Sequence, residues 1–549
     1  MNRLPVRPHV DHLKKQAKDL LAACRSGEDA ALSRLAETFP PGTRHAVPHD
    51  SVRLHHAQRC LAQEYGFSSW AALTSFVVAQ NSLSPDRAAA LRNWLRLVYP
   101  ADISGGMNRA SPAAAARMLA DDPELVAGDP VLACAIGNEA ALRGAIERDP
   151  EWVNRPGGPL RLPPLLAVTH SSLVRLPEFR DRLHASARLL LEAGAAPNQA
   201  IGSRWPPASV DVPDEKVLLS ALYGAAGQNH DAELTKILLE AGADPNDGES
   251  LYHSLESPAC TRLLLEAGAR VTGSNALYRV LDLDNLESLE LLLASGGDPN
   301  EPARNWPITD WGTPLLWAIR RRRSPRHIAA LLAAGADPLV QTPDGTTPYV
   351  LALRFGLTDV AELLRPAASS ASLPDDERFL AACAAGDEPA ARRIQSEHPD
   401  FPASLSPVQL RLLPELAAQG CRDAVKLMVR LGWPIAARGG DWKASALNHA
   451  DFRGDADLTR FLLELGASWQ EVHGYGDNAS GTLSWGSLNQ PEGVGDWPGS
   501  AAALLAHGMP AGTPDPAGTD WVVLDGNLKW FSEEVREVLL GSSPDHPLG

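Results

Sequence analysis

Apolar residues in this chain fall in short stripes of helical period, and the stripes end alike. Leu190-Leu191-Glu-Ala-Gly194-Ala195 returns as Leu238-Leu239-Glu-Ala-Gly242-Ala243 and Leu264-Leu265-Glu-Ala-Gly268-Ala269. Looser copies stand at Leu292-Leu293-Ala-Ser-Gly296, Leu331-Leu332-Ala-Ala-Gly335-Ala336 and Leu462-Leu463-Glu-Leu-Gly466-Ala467. Glycine after such a stripe predicts a helix stopped in the left-handed conformation. A repeated closure predicts a repeated helical unit, each copy packing only on its neighbours.

The clearest unit runs from Gly312 to Pro338. Thr313 is an N-cap candidate and Pro314 suits the first helical position. Leu315, Ala318 and Ile319 share one face. The run Arg320, Arg321, Arg322 and Arg323 stands at the helix end, where cations favour the dipole. A second helix carries Ile328, Leu331 and Leu332 before Gly335. A weaker repetition joins Ala23-Cys24-Arg-Ser-Gly27, Ala133-Cys134-Ala-Ile-Gly137 and Ala382-Cys383-Ala-Ala-Gly386. Half of the cysteines thus occupy one repeat position, where small buried packing is their expected role.

Turn, helix, second helix and Gly-Ala in this order resemble the ankyrin repeat. The resemblance is specific for about 156–366 and 440–470, and implies an all-α solenoid that binds a protein partner through its loops and inner helices. Where that family has His after Thr-Pro-Leu, this chain has Leu316, Val350 or Asn448. The hydrogen bonds that His makes between repeats are therefore expected to be missing. Gly194 and Gly242 stand too far apart for one unit, so an insertion is expected around Trp205-Pro206-Pro207.

Composition shifts divide the chain into a helical region 1–80, degenerate units 85–155, a main array 156–366, a second array 375–512 and a capping segment 513–549. A Pro- and Ser-rich linker separates the arrays, and Val535, Val538 and Leu539 mark a last amphipathic helix. Net charge is −17, which disfavours nucleic acid as the main partner. The first 80 residues are mildly basic, with ten Lys+Arg against seven Asp+Glu. Scattered cysteines, no apolar leader and no apolar run of about 18 residues predict a cytoplasmic, bacterial chain with reduced thiols and no membrane partner.

Phosphate-binding, dinucleotide, zinc-protease and nucleophile-elbow motifs are missing from the sequence, so neither cofactor nor metal is expected. One segment departs from the pattern: His473-Gly-Tyr475-Gly-Asp477-Asn478 sets polar groups among flexible glycines. An enzyme using His473 and Asp477 is one alternative to the binding scaffold, and an exported effector mimicking host ankyrin proteins is another. Otherwise the functional signal is aromatic. Trp205, Trp306, Trp311, Trp433, Trp442, Trp485 and Trp497 fall in or beside turns, and Trp and Arg dominate protein interfaces. Trp205, Trp306, Trp311, Trp317, Trp442 and Arg320–Arg323 are the expected partner-binding residues.

Overall fold

The Leu-Leu-x-x-Gly-Ala closure is a hydrogen-bond pattern. In the computed structural model, Gly194 N–H donates to Leu191 O (3.0 Å) and Ala195 N–H to Leu190 O (2.9 Å). The same two bonds close Gly242/Ala243, Gly268/Ala269, Gly335/Ala336 and Gly466/Ala467. This Schellman arrangement needs a left-handed residue at the glycine, and φ at Gly335 is 96°. The first leucine of each pair (Leu190, Leu238, Leu264, Leu331, Leu462) is fully buried.

The structure describes residues 4, 10–36, 52–67, 69–70, 73–74, 76–77, 86–106, 110–303, 312–367, 372–489, 495–516 and 521–541. Helix dominates. The chain forms two compact units, 1–295 and 296–549. Their junction lies inside the segment 156–366 that the sequence suggested as one array.

In the first unit, helix pairs include Pro130–Ile136 with Glu139–Arg148, Pro164–Thr169 with Pro177–Glu192, and Ser250–Ser254 with Pro258–Glu266. In the second, they include Pro314–Arg320 with Pro325–Ala333, Pro348–Arg354 with Thr358–Leu364, Leu412–Ala418 with Arg422–Arg430, and Ala446–Phe452 with Ala456–Glu464. Within a unit, the second helix of a pair packs on the next second helix, as Ala232–Glu240, Pro258–Glu266 and Leu286–Ala294 do in succession. Asp or Asn caps many second helices: the side chains of Asn138, Asp231, Asn285, Asp387, Asp455 and Asp496 each accept a first-turn N–H.

Consecutive pairs are also pinned at their ends by an asparagine. Asn198 Nδ2 donates to Gly242 O (3.3 Å) while its Oδ1 accepts from Asp244 N–H (2.7 Å). Asn154 makes the same two bonds to Gly194 and Ala196, Asn246 to Gly268 and Arg270, and Asn300 to Gly335 and Asp337. Each asparagine therefore reads the glycine closure of the following pair.

Several expectations are modified. The insertion folds as an antiparallel hairpin, Ala200–Ser203 with Asp214–Ser220. Short strands also form at Arg438–Gly439 with Ala444–Ser445, and as a three-stranded sheet over 513–529. The capping segment is therefore mixed, with the expected helix at Glu533–Leu540 burying Val535 and Leu539. Thr313 does not cap: its hydroxyl is buried with no partner among the described residues. Thr347 does, accepting from Val350 N–H. Asn448 takes over the bonds expected to be lost, donating to Glu471 O (3.1 Å) and accepting from Thr482 Oγ1 (2.9 Å).

Glycines at the turn within a pair differ from those that close it. A Cβ on Gly356 (φ 64°) would lie 2.6 Å from Ala384 O, whereas one on Gly335 would meet nothing within 4 Å. Gly335→Ala carries only the left-handed strain, about 1 kcal/mol. Gly356→Ala adds a backbone clash, so its urea midpoint should fall clearly further than that of Gly335→Ala.

Candidate functional site

The first helix Pro314–Arg320 is buried on every side: Leu315, Leu316, Trp317, Ala318 and Ile319 are all 0% exposed and Arg320 4%. This placement gives the arginine run an internal role. Arg320 Nη2 lies 3.2 Å from Glu415 Oε1 and its Nη1 2.6 Å from Asp441 Oδ1. Arg321 Nη2 pairs with Asp441 Oδ2 (2.9 Å) and stacks over Trp317, its guanidinium carbon 4.1 Å from the ring centre. Arg322 adopts positive φ and donates to Phe355 O; Arg323 Nε donates to Arg321 O (2.9 Å). Burial pulls the Arg320 guanidinium down, but the charges of Glu415 and Asp441 outweigh it and hold it above its ordinary value. Burial likewise pushes Asp441 up, and Arg320 and Arg321 more than reverse this. Gly440 N–H completes the shell on Glu415 Oε1 (3.0 Å).

Trp317 thus presents no surface to a partner, and the nearly buried Arg320 is held by Glu415 and Asp441, which corrects their expected role as exposed contacts. Trp306 and Trp311 lie outside the described residues. Trp442 is half-buried, edge-on to His449 (4.7 Å) and His473 (5.0 Å), so it staples a loop. Trp433 and Trp497 are buried, each donating its indole N–H to a backbone carbonyl. Trp205 is 53% exposed on the first unit's hairpin insertion, beside Arg204, whose Nη1 donates to Ile103 O. Trp485 is 54% exposed and stacks on Phe452.

The His473 loop is knitted by its own backbone: His473 N–H donates to Asp477 O (2.9 Å), and Tyr475 N–H to His473 Nδ1 (3.2 Å). The Asp477 carboxylate pairs with Lys529 Nζ (2.6 Å) rather than with the imidazole. Burial lowers His473, and the buried His449, bonded to Gly439 O, is lowered by burial to about 4.

Beside the Arg320 bridge a cavity of about 750 Å³ opens between the first helices 314–320, 348–354 and 412–418 and the turns 342–344 and 438–443. It is lined by five cations, Arg320, Arg354, Arg411, Arg438 and Lys443, and three carboxylates, Asp344, Glu415 and Asp441. Arg354 is neutralised by Glu377 (2.5 Å) and Asp344 (3.3 Å). Asp344, although burial raises it, is brought below the usual carboxylate range by the Thr342 and Thr346 hydroxyls and by Arg354. Arg411, Arg438 and Lys443 are exposed and have no ion-pair partner among the described residues. These groups are hard to read together from the sequence because Arg411 stands far from the other two; the local signal is the basic, glycine-containing turn Arg438-Gly-Gly-Asp-Trp-Lys443.

A second cavity, about 740 Å³, opens on the glycine turns 356, 386, 420 and 454. Its cations are engaged: Arg322 with Phe355 O, Arg422 with Asp455, and Arg453 with Ala418 O. Among the described residues no group of His, Cys, Asp or Glu could hold a metal ion, and no helix is long and apolar enough to cross a membrane. The chain matches no protein-family model and no curated protein.

Asp451, on the first helix Ala446–Phe452, is fully buried, and both carboxyl oxygens lack a hydrogen-bond partner among the described residues. Burial holds this carboxyl well above its ordinary range, so it is carried neutral.

Arg320→Met strands Glu415, while Asp441 keeps Arg321, and should cost about 3–5 kcal/mol in urea unfolding, most of it recovered when Glu415→Leu is added. For Asp451 the folded state binds the extra proton, so stability falls as pH rises from the ordinary carboxylate value of about 4 toward the folded one. Asp451→Asn should therefore gain on the wild type as pH rises above about 4, measured as a widening difference in urea midpoints.

Proposed function

We propose that the chain is a non-catalytic protein-binding scaffold built as an ankyrin-type array. The array reading is supported by the asparagine clamp: the same side chain makes the same two bonds to the same position of the next pair at Asn154, Asn198, Asn246 and Asn300. Such nearest-neighbour contacts are what stacked repeats depend on. The cysteines, all without disulfides, fit the cytoplasm.

The observation that carries the binding reading is the 750 Å³ cavity, assembled from helices and turns of several pairs. Its size suits an inserted side-chain cluster, and convergent polar groups on partly apolar walls are the usual make-up of a recognition site. Partner contact is assigned to this cavity and its rim, in place of the buried Trp317.

A photo-cross-linking amino acid at Val408, a cavity-lining position 40% exposed, tests this in the full chain. Irradiation in extracts of the native cell should give one discrete protein adduct. The same probe at Val212, 72% exposed in the other unit, should not give that adduct. An identical pattern from both positions, or no protein adduct at Val408, removes the cavity as the binding surface.

A further inference from the structure

The Arg320 and Arg354 charges in the cavity are met by Glu415, Asp441, Glu377 and Asp344. What remains is a rim of three exposed cations, Arg411, Arg438 and Lys443, with no ionic partner among the described residues. In a chain of net charge −17 a local excess of this kind stands out against the field of the whole molecule. Arg438 is also directed: its Nε donates to Lys443 O (3.0 Å), which fixes the turn carrying both cations. A guanidinium so placed keeps its remaining N–H groups for a carboxylate.

We propose that this rim and cavity receive an acidic, extended segment of a protein partner, one in which carboxylates alternate with apolar residues. The inference rests on the protein-binding reading above and names the chemistry of the partner. Alternate side chains of an extended peptide point to opposite sides, so carboxylates can meet Arg411, Arg438 and Lys443 while apolar groups meet Val408, with Leu351 and Phe355 beneath. A nucleic acid fits less well. It carries a charge at every residue and brings no apolar side chains to meet Val408.

The test is fluorescence anisotropy of the full chain with a labelled peptide of repeated Glu-Leu-Glu-Ala, its Lys-Leu-Lys-Ala counterpart and a labelled single-stranded oligonucleotide. The acidic peptide should bind, weaken as salt rises, and lose about tenfold or more in affinity in Arg411→Glu/Arg438→Glu/Lys443→Glu. A control, Lys236→Glu/Arg262→Glu on the first unit, should leave binding unchanged. Circular dichroism checks that the triple variant is folded; if it is not, the three single variants replace it, each expected to weaken binding. Tighter binding of the oligonucleotide, equal binding of both peptides, or an acidic peptide insensitive to the rim charges would overturn the proposal. If the peptide fails but the Val408 adduct persists, the acidic-segment inference falls and the protein-binding reading stands. Loss of both overturns the two together.

Discussion

Everything in this fold hangs on glycine at the end of the second helix. There the chain turns left-handed and lets two successive N–H groups find the carbonyls of the leucine pair. That geometry sends the first leucine of the pair inward. It also leaves a glycine carbonyl and a nearby amide facing outward in a fixed relation. The preceding asparagine takes both. One backbone conformation thus sets the helix end, the core contact and the join to the next pair.

The same constraint explains why the repetition was legible from sequence. A left-handed residue admits few side chains, so the closure survives as Gly194, Gly242, Gly268, Gly335 and Gly466 while the intervening residues drift. The expected insertion between Gly194 and Gly242 is present, folded as the hairpin of Ala200–Ser203 with Asp214–Ser220. Local strand pairing was not legible. The strands at 438–445 and 513–529 are two or three residues long, too short for an alternating pattern to show.

The candidate site was read less well, for a reason that lies in burial. Four consecutive arginines suggest a solvated helix end when neighbours are unknown. Here the helix that delivers them is covered on all sides, so Arg320 turns inward to a glutamate 95 positions away. Tryptophans in turns misled in the same way. Trp433, Trp442 and Trp497 spend their rings on holding loops against helices, while Trp205 and Trp485, the latter on the helix Ala479–Asn489, remain half exposed. Of the cations that do face solvent, Arg438 and Lys443 share one turn while Arg411 comes from a distant segment, so no spacing in the chain joins all three.

The bridge from Arg320 to Glu415 has a further meaning for how this molecule can change. Between its ends lie the helix pairs 348–364 and 375–397. Arrays of similar units commonly lengthen or shorten by whole copies, since each copy touches only its neighbours. Here a latch reaches past neighbours, and adding or deleting one copy inside it would strand a charge in the core. Any change in the number of helix pairs inside the latch would therefore carry an electrostatic cost.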